Sequence, residues 1–227
     1  MRDIPHIGLG PTVSSAACTE PPKATGYHRP MALYDTSTAL LVVDVQNDFA
    51  DPSGSLSVRG GEEIVPLLNV EIRRAVGAGA NVFYTQDWHP PTTPHFAKDG
   101  GIWPVHCVAD TWGAAFHPDL VVAGPSVRKG SNGEDGYSGF TMRDPITGTD
   151  RPTELESMLR EQGVARVVIG GLATDYCVRA TALDAMDRGF PVAVLTDAVA
   201  AVDRQSGDGA RALDDLAAAG AELAATG

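Results

Sequence analysis

The chain has 227 residues, enough for one α/β domain with a full hydrophobic core and cramped for two. A formal net charge of -12 and a sequence pI near 4.8, with no Lys/Arg cluster interrupting the acidic balance, exclude nucleic acid as a natural partner. Cys18, Cys107 and Cys177 are odd in number and form no CxxC pair, and no apolar run approaches the roughly 20 residues of a membrane span, so the expected setting is a reducing cytoplasm away from any membrane.

Residues 1–35 carry Pro5, Pro11, Pro21, Pro22 and Pro30 among Gly, Ser and Thr with no sustained apolar period, which reads as a mobile extension ahead of a domain spanning 36–227. An arm docked on a neighbouring subunit is the alternative, and Met31 is a second candidate start. The run 39–45 is almost unbroken in its apolar character, the pattern of a central parallel strand covered on both faces, and Asp44 stands at its end. Residues 61–78 place Ile64, Leu67, Leu68, Ile72, Ala75 and Val76 on one helical face, closed by Gly77 and Gly79. A second strand follows at 81–86.

From Asp87 to about Leu120 the chain is rich in Pro, His, Trp and Gly and has no clear period, which in a compact domain marks a functional loop region. Short strands are expected at Val121-Val122 and over 125–128. A glycine-rich loop through Gly139 leads to a helix over 153–162 with Leu155, Met158 and Leu159 inward. A buried strand at 166–170, a helix to about Arg188, a strand at 191–196 and a helix over 206–219 complete the chain. This alternation predicts an α/β, Rossmann-like fold: a mainly parallel central sheet with helices on both faces and right-handed crossovers. Ligands in such sheets bind beyond the carboxyl ends of the strands, and Asp44, Asp87, Lys129 and Cys177 all fall at or just past such ends.

Cys177 follows a strand and two glycines at the start of a helical period. A thiol there is either a small buried core residue or a nucleophile whose thiolate the helix N-terminus favours. Asp44 either caps the turn after its strand or takes a proton from that thiol. Lys129 is either a solvated surface lysine or the partner that orients Asp44 and favours the anionic cysteine. The segment Asp87-Trp88-His89 with His95 and His106 gathers a carboxylate and imidazoles from one irregular region, a donor set suited to a single divalent transition metal such as zinc, iron or manganese. His117, before Pro118, reads as an element boundary and is left out of that set.

Five motifs in order resemble the nicotinamidase (pyrazinamidase) branch of the isochorismatase-like cysteine hydrolases. They are Asp44-Val45-Gln46-Asn47-Asp48-Phe49, Gln86-Asp87-Trp88-His89-Pro90, Trp103-Pro104-Val105-His106-Cys107-Val108, Tyr137-Ser138-Gly139-Phe140 and Gly171-Leu172-Ala173-Thr174-Asp175-Tyr176-Cys177-Val178. The resemblance runs from about Thr38 to the C-terminus. It implies Cys177 as nucleophile, Asp44 as general base and acid, and Lys129 as the third member of a triad. It also implies Asp87, His89 and His106 as metal ligands, with His95, six residues after His89, as the extra histidine of one subgroup. Phe49, Trp103 and Tyr137 match the aromatic wall around a pyridine ring, and the N–H groups of Ala173 and Cys177 match an oxyanion hole next to a cis peptide between Leu172 and Ala173.

The expected activity is therefore hydrolysis of nicotinamide to nicotinate and ammonia through a cysteine thioester, in NAD salvage, with pyrazinamide as a second substrate and no organic cofactor. The chain is expected to act as a monomer or homo-oligomer. A relative acting on a carbamoyl or ureido compound is the nearest alternative, with an isochorismatase-type vinyl ether hydrolase behind it. A non-catalytic protein that kept the fold is the alternative of another class; intact Asp44, Lys129 and Cys177 weigh against it.

Overall fold

The apolar run that begins at Thr38 becomes the middle of the molecule: all six residues of β1 (Thr38–Val43) are buried. Successive side chains of a strand point to opposite faces, so β1 feeds two cores. Leu40 and Val42 join Val65, Leu68 and Ile72 of α2 (Ile64–Gly77) on one face. Ala39, Leu41 and Val43 join Leu155 and Leu159 of α3 (Leu155–Glu161), Ala182 of α4 (Arg179–Asp187) and Leu216 of α5 (Asp208–Ala218) on the other. The structure, a computed structural model, describes Met1 and residues 33–227. One compact unit, Ala32–Gly227, holds every element named here. The expected mobile extension falls mostly on residues 2–32, which lie outside the described residues.

β1 is flanked by β2 (Asn81–Asp87) and β6 (Arg166–Leu172), both parallel to it. With β3 (Ser126–Lys129), β7 (Val192–Ala200) and β8 (Glu222–Ala224) the sheet is parallel throughout, in the order β3-β2-β1-β6-β7-β8. The chain builds outward from β1 to β3, then returns to the opposite side of β1 for β6. That reversal opens a crevice at the carboxyl ends of β1 and β6, where a doubly wound sheet binds its ligand. β6 can lie this close only because Gly171 pairs with Val43 at φ 123°: a Cβ there would sit 2.1 Å from the Val43 carbonyl oxygen. No helix among the described residues is long and apolar enough to cross a membrane.

Several expectations need correction. Val121 and Val122 form no strand; they are exposed, and the backbone there is satisfied by the Tyr84 hydroxyl, which donates to the Val121 carbonyl at 2.8 Å and accepts from the Ala123 N–H at 3.0 Å. Val76 is 53% exposed in the last turn of α2 instead of packed inward. β7 runs on to Ala200, beyond the expected end at 196. Three pieces were not expected at all: the single turn α1 (Asn47–Ala50), the antiparallel pair β4 (Thr141–Arg143) and β5 (Asp150–Pro152), and the edge strand β8.

Candidate active site

The carboxyl ends of four neighbouring strands deliver the predicted residues to one place. Asp44 directly follows β1, Asp87 ends β2, Lys129 ends β3, and Cys177 lies in a single π turn, Thr174–Val178, between β6 and α4. The peptide between Leu172 and Ala173 is cis. Lys129 Nζ forms an ion pair with Asp44 Oδ2 at 2.8 Å and donates to Asp87 Oδ1 and to Cys177 Sγ, the latter at 3.6 Å. All four side chains are buried, with Asp44 completely so. Asp44 holds φ 49°, a left-handed conformation that aspartate tolerates better than most residues, and the Thr85 hydroxyl donates to its Oδ1 at 2.6 Å. An acceptor oxygen of Asp44, one of Asp87 and the sulfur of Cys177 all lie within 4.8 Å of one another.

Burial and mutual charge set the protonation of this group. Burial pushes the Asp44 carboxyl above its ordinary value and the Asp87 charge adds to that, while Lys129 opposes both. Burial also acts to raise Asp87, but Lys129 and the nearby imidazoles of His106 and His89 outweigh it and hold Asp87 well below the usual carboxylate range. Asp44 is thus the more basic of two nearby carboxylates, a separation that marks acid–base roles. Burial would strip Lys129 of its proton, yet Asp44, Asp87 and Cys177 together keep it charged. Burial pushes the Cys177 thiol well up, against Lys129 and with help from Asp44 and Asp87. Desolvation in a site with two carboxylates thus outweighs the helix start and the lysine, which favour the anion, and leaves a thiol whose proton Asp44 has to take.

Beside the triad stand His89, His95 and His106, whose ligand atoms lie within 4.8 Å of one another, all buried. His106 Nδ1 donates to the Pro104 carbonyl at 2.7 Å and His95 Nδ1 donates to Asp135 Oδ1 at 2.7 Å, so each keeps a lone pair on Nε2. Both ring nitrogens of His89 are buried without a hydrogen-bond partner. Asp87 Oδ2 is 3.8 Å from Nε2 of His89 and of His106. An orphaned buried imidazole beside two oriented ones and a carboxylate fits a divalent cation of the zinc, iron or manganese type. The predicted ligands are brought together, His95 within 4.8 Å of the other two imidazoles and Asp87 beside His89 and His106.

A cavity of about 350 Å³, including its mouth, opens onto Cys177 and Asp87. Phe49, Trp103 and Tyr137 line it as expected, with Ala173, His95 and His106. Trp103 Nε1 donates to the Tyr137 hydroxyl at 3.0 Å. Three further lining residues went unread in the sequence: Tyr176, whose ring centroid is 4.9 Å from that of Trp103, and the apolar Leu56 and Val202. Gln46 was also missed. Its amide donates to the Asp87 carbonyl at 2.7 Å and to the Ala114 carbonyl at 2.9 Å, and its oxygen accepts the Asp87 N–H at 2.8 Å, clamping the backbone of a predicted ligand. Asp48 takes the Cys107 N–H at 2.7 Å and the Ser55 N–H at 3.0 Å, tying the histidine loop to the loop that carries Leu56. Only the polar positions of these two in the first motif could have signalled them.

Residues 38–227 match the model of the isochorismatase domain family. The chain is 37% identical over 203 residues to the nicotinamidase of Escherichia coli, covering 82% of this chain and 93% of that protein. Its fold superposes on the pyrazinamidase of Pyrococcus horikoshii in complex with zinc with a TM-score of 0.74, at 42% identity over 83% of this chain and 99% of the other. It superposes equally, with a TM-score of 0.74, on PnC1 from L. infantum in complex with nicotinate, at 36% identity over 84% of this chain and 93% of the other. The chain therefore belongs to the isochorismatase family, and within it sits among the nicotinamidase and pyrazinamidase relatives.

Proposed function

We propose that the chain is a nicotinamidase that hydrolyses nicotinamide to nicotinate and ammonia, with Cys177 as nucleophile and one divalent transition metal held by His89, His95, His106 and Asp87. The observation that carries the proposal is the single lysine, Lys129, bonded at once to Asp44, Asp87 and Cys177 beneath an aromatic-lined cavity. Relatives named for nicotinamide and pyrazinamide support this substrate class, and pyrazinamide follows as a second substrate. The role belongs to NAD salvage in the reducing cytoplasm, where Cys177 stays a thiol.

The pyridine ring enters between Phe49, Trp103 and Tyr137, which present the carboxamide carbon to Cys177. Asp44, made basic by its burial, removes the thiol proton, and the sulfur attacks the carbonyl carbon. The developing oxyanion takes hydrogen bonds from the N–H groups of Ala173 and Cys177, contacts of a type that contribute about 3–4 kcal/mol each. Asp44 returns its proton to the departing ammonia, leaving a thioester on Cys177. Asp44 then deprotonates the water that hydrolyses it. Lys129 keeps its charge throughout and offsets the buried carboxylates. A bound divalent cation would supply a Lewis acid that takes the lone pair of the pyridine nitrogen.

Two measurements follow. Prolonged chelation should abolish ammonia release from nicotinamide, and added zinc, iron or manganese should restore it; full activity in metal-free protein would refute the metal role. With metal saturating, kcat/KM should fall on the acid side as Asp44 becomes protonated. Because burial raises that carboxyl, the acid limb should lie above the ordinary aspartate range, whereas the raised Cys177 and Lys129 should leave the alkaline side flat. An acid limb at or below the ordinary aspartate range would remove Asp44 as the base.

A further inference from the structure

We propose that Asp135 is a positioning residue for His95: its carboxylate fixes the tautomer and orientation of that ring and so sets how tightly the three-histidine site holds a divalent cation. The inference rests on the metal role proposed above. Asp135 lies 40 residues beyond His95 in the loop after β3, and its Oδ1 accepts from His95 Nδ1 at 2.7 Å and from the Gly136 N–H at 2.8 Å. An ionised carboxylate can only accept, so Nδ1 carries the proton and Nε2 keeps the lone pair a cation needs.

The carboxylate does not stand on a free loop. The Asp135 N–H donates to the Arg143 carbonyl at 2.7 Å, and the Arg143 N–H donates to the Asp135 carbonyl at 2.6 Å, so the backbone is pinned to the end of β4. The three imidazoles are held unequally. The His106 ring hydrogen-bonds a neutral carbonyl, His89 has no hydrogen-bond partner on either ring nitrogen, and of the three only His95 hydrogen-bonds a carboxylate. The His95 ring also stacks on His89 with centroids 4.7 Å apart, so a misplaced His95 disturbs its neighbour too. A carboxylate on the remote nitrogen raises the basicity of the ligating one more than a carbonyl does, and losing such a partner weakens metal binding by about 10–100-fold.

The test is the zinc dissociation constant, measured by competition with a chromophoric chelator, for the full chain and for Asp135→Ala, Asp135→Asn, His95→Ala and the His95→Ala/Asp135→Ala double variant. Asp135→Ala should weaken zinc by about 10–100-fold, and Asp135→Asn, which keeps the shape and an acceptor oxygen but not the charge, should fall between it and the unaltered chain. Asp135→Ala should add nothing in the His95→Ala background. Nitrogen NMR of the metal-free protein should find His95 protonated on Nδ1 and a tautomer mixture in Asp135→Asn, a readout that loss of loop structure does not imitate. Unchanged zinc affinity in both Asp135 variants, or effects of the His95 and Asp135 changes that simply multiply, would overturn the inference while leaving the metal role intact. An unaltered chain that binds no zinc, iron or manganese would remove the metal role and this inference with it.

Discussion

Cys177→Ala should abolish ammonia release, lowering kcat by at least about 10⁴-fold while nicotinate still binds. The sulfur is the one thiol lining the cavity and the side chain that Lys129 and Asp44 bring a charge and a base to, so the acyl intermediate forms on it. Asp44 could still deprotonate a water in the variant, but that water would have no fixed place opposite the carbonyl. The substitution removes one buried atom, so stability should change by no more than about 1–2 kcal/mol. Steady-state kinetics with a binding titration separates the outcomes: kcat collapses and the dissociation constant for nicotinate holds. Retention of more than a few per cent of the rate would assign the nucleophile elsewhere.

Lys129→Met should produce the largest loss of stability in the site. The lysine is 1% exposed and is the only lysine or arginine among the described residues paired with the buried carboxylates of Asp44 and Asp87. A methionine of similar length fills the space but leaves two buried charges without compensation, a change that costs about 3–5 kcal/mol. The sign of the pH dependence follows. Without the lysine both carboxyls rise, since its charge lowers each of them, and a folded-state pKa above the unfolded one gives stability that is present at low pH and lost as pH rises. Chemical denaturation of metal-free protein should therefore show a deficit that grows from acid to neutral pH. A pH-independent deficit would mean that the lysine contributes packing and not charge.

Much of the fold was legible because its central strands are short apolar runs and its longer helices carry a clean period. β1 reads as buried on both faces from the run 39–45 alone, and its carboxyl end positions Asp44 without any knowledge of contacts. What escaped was whatever depends on partners distant in sequence. β8 is three residues that pair with β7 at the sheet edge, and β4 and β5 are each three residues that pair across a turn; runs this short carry no period. Tyr84 reads as one more apolar residue of β2, yet its hydroxyl satisfies the segment that had been expected to form a strand. The same limit hid Gln46, Asp48 and Asp135, whose partners lie 41, 59 and 40 residues away. The forces on Cys177 were legible only in part: helix position is visible in sequence, whereas the depth of burial and the second carboxylate that together raise the thiol are not.

The measurement closest to the centre of this picture is product formation from nicotinamide by the purified, metal-loaded full chain, with ammonia and nicotinate quantified together and carbamoyl and ureido compounds run alongside. Nicotinamide should give the two products in equal amounts, faster than any carbamoyl or ureido compound, and the turnover should vanish in Cys177→Ala. Rapid hydrolysis of a ureido or carbamoyl compound with nicotinamide left untouched would contradict the assignment and place the chain with another amidohydrolase of the same family.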